Sequence, residues 1–191
     1  IDFRNENPNY TGNEEYNYFL AALFPHNQLK ILDYNRVVRD LNNNSEGEFL
    51  KKVSEKFNVE KVNAIYKPEQ KHAIGMYLSG TWYRLEPKSG TYESDDVIAS
   101  LDVSILQNNI LAPILGIENP RIDKRIDFVG GILGIEELIR LVDSGDFKVA
   151  FAMYPTLISD LIKVADEGKI MPPKSTWFEP KLKSGIVVHL I

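Results

Sequence analysis

The chain has 191 residues, 43% hydrophobic and 26% charged, with a net charge of −5. That is enough chain to bury a core without help from a metal or a disulfide. No stretch approaches the roughly 18 uninterrupted apolar residues of a bilayer span, which argues against a membrane role.

The acidic balance argues against a general affinity for nucleic acid, whose phosphates call for a basic surface. The absence of cysteine excludes disulfides, thiolate metal ligands and a cysteine nucleophile, in keeping with a reducing cytoplasm.

Residues 1–15 are polar and turn-rich (Asn7-Pro8-Asn9, Thr11-Gly12-Asn13) and read as an irregular lead-in. The opening Ile1-Asp2-Phe3, with neither an initiator methionine nor a signal-peptide pattern, points to a piece of a longer protein. The apolar runs Tyr16–Phe24 and Leu29–Tyr34, parted by Pro25-His26-Asn27, predict two antiparallel strands, with helix as the alternative for the first. Ser45 with Glu48 three residues on is a capping box that starts a helix from about Glu46 to Phe57. Val62–Tyr66, Ala73–Leu78 and Trp82–Leu85 read as the strands of a small meander, the last two joined by a tight turn at Ser79-Gly80.

Asp95–Leu115 carries apolar residues on nearly all sides of a helical period and predicts a central buried helix, ended near Pro113 and capped at Gly116. Asp102, Gln107, Asn108 and Asn109, set into it, must find partners, face a cavity or lie on an exposed stripe. The last third alternates: strand Arg125–Val129, helix Gly134–Ser144, strand Lys148–Met153, helix Leu157–Glu167 capped by Thr156, and strand Gly185–Leu190. The order predicts an α+β fold: N-terminal antiparallel strands and a meander, then an alternating part with an at least partly parallel sheet. It is read as one domain over 1–191, with a possible subdivision into 1–94 and 95–191. Glu137–Gly145 and Asp160–Gly168 echo each other and both end on a glycine suited to a left-handed cap.

The segment Ile170–Gly185 cannot be a regular helix. Pro172-Pro173 stiffens it and presents Lys174, Ser175 and Thr176 as a polar cluster, while Trp177 and Phe178 would anchor it to a core. The alternative is a packed loop before an edge strand. Walker, dinucleotide and serine-hydrolase patterns are not met: Gly168-Lys169 lacks the following hydroxyl residue, Gly130-Gly131-Ile132-Leu133-Gly134 misses the spacing, and no G-x-S-x-G occurs. His26, His72 and His189 are scattered and read as structural. What survives is anion binding by Lys174, Ser175, Thr176, Lys181 and Lys183, with Arg36, against the opposing charge of Glu179. Asp33 and Arg36 suit either a polar ligand or a surface ion pair.

Tyr16–Phe19, Leu32–Val38, Ser100–Asn108, Ile126–Gly131 and Met171–Phe178 together resemble the C-terminal part of a prokaryotic family, domain-of-unknown-function family ten-fifteen. The resemblance implies an upstream Asp-Gly-His-His-Arg block, which this sequence lacks. That block is similar to motifs of the ParB and sulfiredoxin-like superfamily, whose members include nucleotide-using enzymes and a free-serine kinase. It also implies an association with serine-biosynthesis genes.

On this basis the expected function is binding of a phosphorylated metabolite or nucleotide, extending to phosphoryl transfer linked to serine metabolism. Lys174, Ser175 and Thr176 would be on the phosphate, and Asn35, Arg36, Asp102 or Asn108 on the second substrate. ATP or ADP with Mg²⁺ would then be used by the full-length protein, with Asp102 or Asp127 as metal ligands and the upstream region completing the site. The isolated chain is expected to be inactive. The rival expectation is a non-catalytic ligand-binding or protein-interaction domain that uses the tryptophan-bearing loop.

Overall fold

The computed structural model describes residues 2–181, 183 and 185–189. It divides into two compact units, Ile1–Leu29 with Pro180–Ile191, and Lys30–Glu179.

In the first unit, α1 (Asp2–Glu6) leads into a turn built around Glu14. Its carboxylate accepts from the Thr11 N–H and hydroxyl (2.6 and 2.8 Å) and the Gly12 N–H (3.0 Å). Those donors, the Thr11 amide foremost, lower its pKa from 4.5 to about 2. The strand expected over Tyr16–Phe24 is not formed: a single 3-10 turn, Glu15–Asn17, is followed by irregular chain in which Phe19 and Leu23 are 83% and 93% exposed. The strand expected over Gly185–Leu190 is likewise absent from 185–189, which form a turn and bends, and Leu190 lies outside the described residues.

The second unit is built on a six-stranded sheet in the order β3-β5-β4-β7-β2-β6. Its strands are β2 (Tyr34–Val38), β3 (Phe57–Val62), β4 (Ile74–Leu78), β5 (Thr81–Pro87), β6 (Ile126–Gly130) and β7 (Val149–Ala152). Strands β1 (Lys30–Leu32) and β8 (Trp177–Glu179) form a separate antiparallel pair. The α+β class holds, but every strand pair among the described residues is antiparallel, which corrects the expectation of parallel pairing. Helices that alternate with strands need not be crossovers, because two antiparallel neighbours can also be joined through a helix packed on one face.

Ser79 and Gly80 turn the β4–β5 hairpin with φ of +48° and +77°, as a tight primed turn requires. Ahead of it, α2 (Glu46–Lys56) starts on the capping box: the Ser45 hydroxyl accepts from the Glu48 N–H, and the Glu48 carboxylate accepts from the Ser45 N–H. Val37, Tyr77, Trp82, Val129, Ala150 and Ala152 bury one sheet face with Leu138 and Val142 of α4 (Glu136–Asp143). Val38, Ile74, Met76, Leu85, Val149 and Phe151 bury the other with Phe49 and Val53 of α2 and Ile105, Leu106 and Ile110.

The expected long helix over Asp95–Leu115 is broken. The Asp96 carboxylate accepts from the Ile98 and Ala99 amides (2.7 and 2.8 Å) and closes its own turn, and Leu101 is extended. Only then does α3 (Asp102–Leu106) begin, and it runs on as one π-helical stretch, Gln107–Leu111. Gly116, at φ +67°, follows as expected, and Arg125 donates to the carbonyls of Leu115 and Gly116 (2.9 and 3.0 Å). In α5 (Ile158–Asp166) the N-terminal residue is extended Leu157, not Thr156, whose hydroxyl donates instead to the Ser175 carbonyl at 2.8 Å. Gly145 and Gly168, the ends of the two similar segments, both have positive φ.

Gly47 is exposed in α2, with nothing within 4 Å of the position a Cβ would take. Gly47→Ala is therefore expected to stabilise the protein by about 0.5–1 kcal/mol in urea titration. Because the pKa of Glu14 is depressed on folding, its contribution is fully present above 4.5 and is lost as pH falls through about 2. The Thr11 and Gly12 amide resonances should accordingly titrate near the lower value.

Candidate functional site

On the face of the sheet that carries α3 lies an open cleft of about 1170 Å³. Its walls include Arg36 and Phe128 from the sheet, Thr91 and Tyr92 from the loop after β5, and Pro172 and Pro173. Gln107, Asn108 and Asn109 of the π-helical stretch complete it. A π segment widens the helix by one residue per turn, and such segments recur at functional sites. Here it turns consecutive amides toward one hollow. Asn109 is anchored by donation to the carbonyls of Thr91 and Ile105 (3.1 and 3.0 Å), and Gln107 by donation to Ile117 (2.7 Å).

Arg36 is the unusual wall residue. It is only 3% exposed, and its guanidinium donates to the Tyr34 carbonyl and, at 2.9 Å, to the Lys174 carbonyl. It also stands 5.6 Å from the centroid of the Phe128 ring. Among the described residues it forms no ion pair. Burial pushes its pKa down to about 10, so it remains charged at neutral pH.

The residues expected from sequence to share one site are divided by the pleat. Asn35 and Arg36 are neighbours on β2 and must face opposite sides of the sheet. Arg36 reaches the cleft. Asn35, 1% exposed, donates to Asp33 (2.6 Å) and accepts from the Met153 N–H (2.8 Å). Asn108 lines the cleft with Arg36, whereas Asp102 is buried beside His72.

Lys174, Ser175 and Thr176 are not among the residues lining the cleft, although Pro172 and Pro173 are. Lys174 adopts φ +58°, and its amine donates to the Tyr34 hydroxyl (3.1 Å) 5.8 Å from the centroid of Phe128. The Ser175 hydroxyl is turned into its own loop, onto the Pro172 carbonyl at 2.6 Å, and Thr176 is half-buried. Asp127, on an exposed position of β6, accepts from the Phe128 N–H (2.7 Å). No group of three metal-type ligands comes together among the described residues.

The loop is fastened by Trp177. Its ring meets Tyr34 edge-on at 5.3 Å and lies where Gly130 leaves room, since a Cβ on Gly130 would stand 2.5 Å from it. Gly131 makes the same allowance for Asp33, whose carboxylate oxygen would be 2.4 Å from a Cβ. Gly130-Gly131 is therefore explained by close approach of neighbouring groups. Sequence reading missed Thr91, Tyr92 and Arg121 on the cleft wall, because their contribution depends on loop paths without a periodic signature. No helix among the described residues is long and apolar enough to cross a membrane.

Gly130→Ala should force the Trp177 ring out of its seat, at a cost of about 1–3 kcal/mol from overpacking. A chemical denaturation curve with red-shifted tryptophan emission in the native baseline would report it.

Comparison with known proteins places the chain. No curated protein matches it. Among solved structures it is similar to a conserved hypothetical protein from Pyrococcus furiosus, with 10% identity and a TM-score of 0.49, covering 79% of this chain and 56% of that one. It is similar also to a free serine kinase in complex with AMP, with 9% identity and a TM-score of 0.47, covering 80% and 55%. The chain thus spans about half the length of these structures. At such identities the likeness is one of chain course, and nothing about ligand or activity passes with it. Residues 2–104, more than half of the chain, match the model of a family described as a protein of unknown function, and this chain belongs to that family, DUF1015.

Proposed function

We propose that the cleft binds the anionic group of a small phosphorylated metabolite or nucleotide, with Arg36 as the charge that meets it. The observation that carries this reading is a buried guanidinium on a cleft wall, hydrogen-bonded only to neutral carbonyls. A cation taken out of water carries a penalty of several kcal/mol, which a counter-charge offsets. A phosphate supplies that counter-charge and matches the planar fork of donors that arginine retains beyond its two bonds.

Lys174, with its amine beside the wall residue Phe128, adds a second positive charge near the same edge. Gln107, Asn108 and Asn109 suit the polar, uncharged part of the ligand. In this reading Ser175 shapes the loop and does not donate to the ligand.

The finer form of the proposal is phosphoryl transfer from ATP or ADP to a hydroxyl such as that of L-serine. The chain is then the C-terminal part of a longer protein, whose Asp-Gly-His-His-Arg block completes the site. The family resemblance carried by Tyr16–Phe19, Leu32–Val38, Ser100–Asn108, Ile126–Gly131 and Met171–Phe178 supports this form.

Calorimetric titration of the chain with ADP and with inorganic phosphate tests the binding claim. Arg36→Gln should weaken ADP roughly 10- to 100-fold, the value of a charged hydrogen bond of about 1.5–3 kcal/mol. Equal affinity in wild type and variant, or no response to either ligand, would overturn it. For the finer form, the protein extended to include the block should turn over ATP or ADP with L-serine, and no turnover would sink it.

A further inference from the structure

A second, smaller hollow of about 220 Å³ has His72, Tyr92, Lys71, Lys163, Asp95 and Asp160 among its lining residues. His72 sits in it with φ of +66°, a backbone region that residues other than glycine seldom enter. One carboxylate oxygen holds it there. The His72 main-chain N–H donates to Asp102 Oδ1 at 3.0 Å, and Nδ1 of the ring stands 3.1 Å from the same atom. The ring contact is off-line for a straight hydrogen bond, as resting acid–base pairs often are before a substrate closes the site.

Asp102 is 7% exposed and opens α3, so a rigid element carries it. The imidazole stacks on Tyr92 with centroids 5.0 Å apart and planes at 28°, and it stays 32% exposed. In the Nδ1–H tautomer the ring proton would face this carboxylate and Nε2 would keep its lone pair. The turn closed by the Ala73 N–H on the Gln70 carbonyl accounts for the left-handed backbone of His72, but it does not call for a buried carboxylate beside the ring.

We propose that His72 and Asp102 form an acid–base dyad for a small hydroxyl-bearing molecule bound in this hollow, His72 as the catalytic residue and Asp102 as its positioning residue. The hydroxyl O–H bond breaks as its proton passes to Nε2, and the imidazolium so formed is balanced by the Asp102 carboxylate. The oxygen keeps the electron pair and attacks the terminal phosphorus of the compound in the neighbouring cleft. There the bond to the departing phosphate oxygen breaks, and its electrons leave with that oxygen. Tyr92 is a wall of both hollows, so the two sites adjoin. Lys71 is engaged by Asp160 at 3.1 Å, and Lys163 and Asp95, of opposite charge, line the same hollow. The acceptor of the attack rests on the reading of the cleft given above; the dyad itself does not.

The test uses the whole chain labelled with ¹⁵N-histidine, at about two units above the ordinary imidazole pKa of about 6.5. Long-range ¹H–¹⁵N spectra should show His72 as the Nδ1–H tautomer. Among L-serine, D-glycerate and glycerol, at least one should move its Nε2 resonance. Asp102→Asn should abolish that tautomer preference. An Nε2–H tautomer in the wild type, or an Nε2 unmoved by all three compounds, would overturn the proposal, whether or not the variant folds.

His72→Gln should leave ADP affinity within about twofold while cutting phosphoryl transfer by at least about 100-fold in the protein that carries the upstream block. Unchanged transfer in His72→Gln would also overturn it. A moved Nε2 in a protein that binds no ADP would support the dyad and sink the reading of the cleft.

Discussion

The guanidinium of Arg36 joins a strand and a loop that lie 138 residues apart in the chain, donating to the carbonyl of Lys174 while it also holds that of Tyr34. Two neutral acceptors satisfy its geometry but leave its charge unanswered, and in a buried setting the charge is the expensive part. Much of the surroundings follows from keeping this group in place. Tyr34 bears the Lys174 amine on its hydroxyl and the Trp177 ring on its edge, and Phe128 lies opposite Arg36 in the β2–β6 register. Thr156 then fastens the next carbonyl of the loop, that of Ser175. The pair of prolines beside the cleft is thereby set by contacts on the residues that follow it.

The two-residue repeat of the strands decides which polar groups can cooperate. Asp33 and Asn35 point to one side and close a buried network ending on the Met153 amide, whereas Tyr34 and Arg36 point to the other, Tyr34 onto Lys174 and Arg36 toward the cleft. Glycine at 130 and 131 is the counterpart on β6 and just beyond it. Trp177 and Asp33 approach the backbone so closely that a methyl group at either position would collide with them. Core-facing and cleft-facing polarity are thus interleaved along a few residues, and neither displaces the other.

Across the cleft, the helix that begins at Asp102 carries two features that ordinary helix formation does not require. Its first residue is a buried carboxylate spent on His72, and its second half is wound as a π turn that leaves three amides on the wall of the hollow. Both belong to segments packed against the core on Ile105, Leu106 and Ile110, so the apolar side gives the polar side a rigid mount.

Local signals in the sequence carried a good part of the fold. The Ser45–Glu48 box placed α2, the Ser79-Gly80 pair placed the hairpin, and the glycines at 116, 145 and 168 took the left-handed conformations expected of them. Each is determined within four or five residues by steric and hydrogen-bonding rules. The aromatic run Tyr16–Phe24 shows the limit of such reading, because a strand exists only with a partner, and the partner of β1 is Trp177–Glu179.

The polar cluster Lys174-Ser175-Thr176 was legible as a set of residue types, but its hydroxyl orientation was not. A donor is spent on whichever acceptor the folded loop brings nearest, and for Ser175 that is the Pro172 carbonyl. By itself the sequence determined the helices, turns and apolar faces that local physics enforces, and it marked Arg36 as a cation near a site. Only the tertiary structure decided that Arg36 is buried without a counter-charge among the described residues while Asn35 beside it serves the core, because burial and pairing depend on residues distant in the chain.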